Sequence, residues 1–95
     1  MIHIHGRRWF DKRWGNTYHS CAISVNDEDV GEIPFAYGYG TQWEWSAAAW
    51  LEDNGYLPGR EHHQNGGVEC LWLYCERKNI RLTQEVDDVS RRRDL

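Results

Sequence analysis

Between Tyr37 and Trp43 the spacing of the large side chains changes, and that change limits the folds open to this chain. Up to Tyr37 apolar and polar residues alternate, the period of a strand; beyond it they recur at the helical period of about 3.6. The clearest alternation is Thr17 to Val25. Thr17, His19, Cys21, Ile23 and Val25 share one face, and Tyr18, Ser20, Ala22 and Ser24 share the other. Ile2 to Phe10 reads as an earlier strand, with Gly6 as a bulge candidate and Trp14-Gly15-Asn16 as the turn that follows. Asn26 to Asp29 is a polar hairpin connection, and Val30 to Tyr37 a third strand. Pro34 cannot donate to a ladder, so this strand is expected to lie on an edge or to bend there.

Gly38 and Gly40 allow the sharp turn into a helix. Thr41-Gln42-Trp43-Glu44 has the form of a capping box, and Gly55, with Pro58 beyond it, ends the helix near Asn54. Trp43, Ala47, Trp50 and Leu51 fall on one face and predict the core. Trp45 lies about 140° from Trp50 and predicts an outward ring. A second helix is expected from Val68 to Lys78, with Val68, Leu71, Trp72 and Cys75 inward and Asn79 as its stop. Ile80 to Val86 alternates as a fourth strand. Residues 87–95 read as a charged, mobile tail. The expected fold is therefore α+β, a single domain over 1–95, with an antiparallel sheet in β-β-β-α-α-β order and both helices on one face.

A chain of 95 residues has a modest core, and six Trp, five Tyr and two Phe make that core efficient. The net charge of −4 gives no general attraction to nucleic acid or to an anionic membrane. Three cysteines cannot close a disulfide framework, and no stretch nears the roughly 20 apolar residues of a membrane span. These features predict a reduced, soluble, cytosolic protein.

Catalytic and metal chemistry find little to build on. His3, His5, His62 and His63 lack any spacing that would organise them with Cys21, Cys70 and Cys75 into a zinc site. Cys21 lies beside His19 on one strand face, but neither is at a helix N-terminus, where a thiolate is favoured. Gly38-Tyr39-Gly40 lacks the later Gly and Lys of a phosphate loop. The expectation is no enzyme, no cofactor and no metal. Binding is better served. Arg7, Trp9 and Tyr18, on the sheet face away from the helices, form a candidate surface for single-stranded nucleic acid. Trp45 and Trp14 are candidate anchors for a protein partner, and Asp27, Glu28 and Asp29 could imitate phosphates.

GRRWFDKRWGNTYHS (Gly6 to Ser20), FAYGYG and AAAWLEDNGYLP (Ala47 to Pro58) resemble a group of small uncharacterised proteins encoded by tailed phages and prophages. The resemblance supplies no catalytic residue. It implies an accessory protein that binds and blocks a host protein or nucleoprotein complex in the host cytoplasm, as anti-CRISPR proteins do.

Overall fold

Three strands, two helices and a final strand follow one another in the computed structural model, which describes residues Met1–Leu95. They are β1 (Ile2–Asp11), β2 (Asn16–Val25), β3 (Glu28–Tyr37), α1 (Gln42–Asp53), α2 (Leu71–Arg77) and β4 (Leu82–Val89). The sheet order is β3-β2-β1-β4, so β3 is an edge, the first of the two alternatives Pro34 left open. β2 is antiparallel to both neighbours, but β4 runs parallel to β1. The sheet is therefore mixed, not purely antiparallel. Alternation reports which face a side chain takes, not the direction of the neighbouring strand, and so was silent on this point.

Both helices lie over the face formed by Ile2, Ile4, Cys21 and Ile23, and their apolar residues join these in one buried cluster. Gly6 is not a bulge. It pairs regularly with Cys21, and it is glycine because a Cβ there would stand 2.7 Å from two atoms of the Trp43 ring. The register breaks instead between β2 and β3, at His19/Cys21 and again at Ile23/Ser24. The second hairpin is tighter than expected. Asn26 and Asp27, both left-handed, make the whole turn, and Glu28 and Asp29 already belong to β3.

In α1, Trp43, Ala47, Ala48 and Leu51 are buried, whereas Trp50 is only half-buried and stacks on Tyr56. The capping box does not form: the Glu44 amide donates to the Thr41 carbonyl, and the Thr41 hydroxyl caps nothing. The C-terminus follows expectation. Tyr56 N–H donates to Leu51 O and Gly55 N–H to Glu52 O, the paired bonds of a Schellman motif. The second helix starts three residues later than expected, because Val68 bridges to His62 and Glu69 N–H donates to Glu61 O. The later start rotates the inward face to Leu71, Tyr74 and Cys75 and leaves Trp72 outside.

The strand β4 outruns the expected end at Val86, since Asp87 and Asp88 find partners on β1. His5 Nε2 lies 2.7 Å from Asp87 Oδ2, and Arg8 Nε donates to Asp88 Oδ1 at 2.9 Å. The residues beyond double back as a short 3-10 turn at Arg92–Asp94, with the Arg92 guanidinium 4.6 Å from the Phe35 ring centre.

One ion pair locks the loop ahead of α2. Buried Glu69 accepts from Arg77 Nε at 2.9 Å and from Nη2 at 2.7 Å, and this pairing holds its carboxyl down at about 2. A depressed carboxylate stabilises the folded state above its ordinary value near 4.5 and loses that effect as pH falls toward about 2. Arg77→Met is expected to lower the melting temperature at neutral pH. It should also flatten the decline of melting temperature with acidification below about pH 4.5, while an unchanged acid limb would show that the pair does not set it.

Candidate interaction surface

The corner between β3 and α1 carries the most unusual surface of the molecule. Gly38 and Gly40, both at positive φ, let the chain leave the sheet edge and enter α1 within a few residues. Fully buried His19 fastens the corner. Its Nδ1 lies 3.2 Å from Gly38 O, which can only accept, and its Nε2 lies 2.8 Å from Ser46 Oγ. The aromatic residues leading into the corner, Phe35, Tyr37 and Tyr39, are exposed.

Those rings form a band. On the open sheet face Tyr18 stacks on Trp9 at 5.7 Å and on Phe35 at 4.8 Å, and meets Tyr37 edge-on at 5.6 Å. Tyr37 and Tyr39 then line a hollow together with Trp45. Trp45 in turn shares a cleft of about 250 Å³ with Trp72, Thr41, Glu44, Cys70, Leu71 and Gln84. Tyr39 is 75% exposed, Trp72 54% and Trp45 41%, although large rings are ordinarily buried. Such rings are what the energetic centres of protein interfaces are made of.

The cleft at the end of the band is polar at its base. Burial pushes the Glu44 carboxyl up, and no arginine, lysine or histidine pairs with it. Gln84 Oε1 is buried without a hydrogen-bond partner.

The structure separates the residues expected to bind a protein partner. Trp45 lies in the band. Trp14 is exposed at the β1–β2 turn, under the Arg13 guanidinium at 5.2 Å. Asp27, Glu28 and Asp29 are exposed at the opposite end of the sheet, roughly 30 Å away along ten-residue strands, so they cannot share one contact with Trp14. Arg7, Trp9 and Tyr18 do come together on the open face. They share it with Glu85 and Asp87, which sit in register with His5 and Arg7, and with Leu95, which lines a hollow beside Arg7 and Ser20.

Cys21 is unsuited to act as a nucleophile. Its thiol donates to Trp43 O at 3.2 Å, and burial pushes it up to about 12. No three His, Cys, Asp or Glu side chains are grouped to hold a metal ion; His62 pairs instead with Glu52. No helix is long and apolar enough to cross a membrane. Phe35, Tyr37, Tyr39, Trp72, Glu44 and Gln84 were not foreseen as surface residues of interest. The aromatic alternation Phe35-Ala36-Tyr37-Gly38-Tyr39, on a strand already placed at an edge by Pro34, was the available signal.

Fold and surface together define a small α+β protein with an exposed aromatic band and a polar-based cleft at one end of it. No family model, no curated protein and no solved structure matches the chain.

Proposed function

We propose that this protein works by binding rather than by catalysis, attaching through the aromatic band to a host protein or nucleoprotein complex and blocking it by occupying its surface. The continuity of exposed rings from Phe35 to Trp72 is the observation that supports this reading most. The phage-type resemblance of the sequence supplies the context of an accessory protein acting in the host cytoplasm. Obstruction by the band takes precedence over phosphate mimicry, because the acidic turn lies at the far end of the sheet from it.

A second reading has one specific observation in its favour. Trp9, Tyr18 and Phe35 stack on one another on the open face, and the outer side of Trp9 could extend that stack with a single-stranded base. Glu85 and Asp87 on the same face would repel phosphates, which places this reading second.

One experiment separates the two. The immobilised protein is passed through host lysate with and without nuclease, beside the double variant Tyr39→Ala/Trp45→Ala. A nuclease-resistant partner that the double variant fails to retain, at nearly unchanged melting temperature, is the expected result. Loss of every partner to nuclease would transfer the function to the sheet face, and full retention by the double variant would remove the band from it.

A further inference from the structure

The cleft at the end of the band has a more particular chemistry than the rest of it. We propose that it receives the guanidinium group of an arginine side chain presented by the partner protein. That the arginine comes from a protein rests on the binding function proposed above; the preference of the cleft for a guanidinium does not.

Size is the first consideration. Sites for drug-sized ligands occupy about 300–1,000 Å³, so a cleft of about 250 Å³ suits one long side chain better than a nucleotide or a cofactor. Its walls are the second. Trp45 and Trp72 line the same space, and indole is the best of the aromatic faces for a cation. Polarity is the third. Glu44 is a carboxylate partly withdrawn from water, with no cation of the protein beside it. The Thr41 hydroxyl caps nothing, and Gln84 closes the floor of the cleft with its own Oε1 buried and unpartnered. The cleft thus offers the Glu44 carboxylate and the Thr41 hydroxyl as acceptors, with no lysine, arginine or histidine side chain paired to the carboxylate. A guanidinium brings five N–H donors in a plane that also stacks on indole, whereas an ammonium offers a compact charge with no stacking face.

The proposal is tested on the isolated, isotope-labelled protein by following the indole N–H resonances. The probes are the methylamide of N-acetyl-arginine and its neutral isostere, the methylamide of N-acetyl-citrulline. The Trp45 and Trp72 signals should move saturably with the arginine compound, and the citrulline compound should bind about tenfold more weakly or worse. Glu44→Gln, which keeps the shape and removes the charge, should weaken the arginine compound by a similar factor while the melting temperature holds. Equal binding of the two compounds, unaltered arginine binding by Glu44→Gln, or motionless Trp45 and Trp72 signals would each overturn it.

The two proposals fail separately. Partner capture that depends on Tyr39 and Trp45 but survives Glu44→Gln keeps the band and removes the arginine from its contact. Selective binding of the arginine compound, with capture indifferent to the band, keeps the cleft and removes the proposed protein contact.

Discussion

Trp43→Ala is expected to destabilise the fold by about 3–5 kcal/mol, the largest loss of any single substitution considered for this protein. Trp43 is 4% exposed and lies across Gly6 on the central strand, while its own carbonyl accepts the Cys21 thiol. Truncation leaves a cavity that neither the sheet nor the short α2 can close. Trp50→Ala should lose clearly less, since that ring is half-buried and rests mainly on Tyr56 and over Gly31. Urea denaturation of the two variants checks the ranking. If Trp50→Ala proves the more damaging, the core has been placed on the wrong indole.

The same contact read from the other side gives the second expectation. Gly6→Ala should destabilise by about 1–3 kcal/mol through overpacking, because the new Cβ would lie 2.7 Å from Trp43 Cδ2 and Cε3. Gly31→Ala makes a still closer approach, 2.0 Å to Trp50 Cζ2, yet it should be milder. The atoms it meets are the far edge of a ring that can swing toward solvent, whereas Trp43 has nowhere to go. Neighbouring substitutions that share one contact are not additive. Placing Gly6→Ala in a Trp43→Leu background should therefore remove most of its effect in thermal melts. A cost that persists there would assign the glycine to backbone conformation instead of clearance.

Local periodicity carried much of this fold. The strand faces of Ile2, Ile4, Cys21 and Ile23, the edge position of β3, the Schellman end of α1 and the outward Trp45 all follow from side chains within a few residues of one another. What lay beyond reach depended on distant partners. The parallel course of β4, the extension of that strand through Asp87 and Asp88, and the buried state of Glu69 are each decided by a residue on another element: β1 as a whole, His5 and Arg8, and Arg77. The inward face of α2 was misread for a local reason, since counting from Val68 instead of Leu71 turns Trp72 inward and Tyr74 outward. The band was half legible. Its rings were visible, but their convergence needed the corner at Gly38–Gly40 and the His19 tie, and the cleft needed Gln84 from the far strand.

The pairing of β1 with β4 also bears on how the chain comes to its shape. β1 is an inner strand, yet one of its two neighbours is contributed from about the position of Thr83, 80 residues after His3. During synthesis the first hairpin can close at once, but the other flank of β1 keeps its backbone groups unpaired until β4 has been made. Closing so distant a contact is slow. A nascent chain interrupted before Leu82 would present Ile2 and Ile4 on an open sheet edge, ready to add a strand from another copy, so premature termination should yield aggregates and not a smaller folded protein.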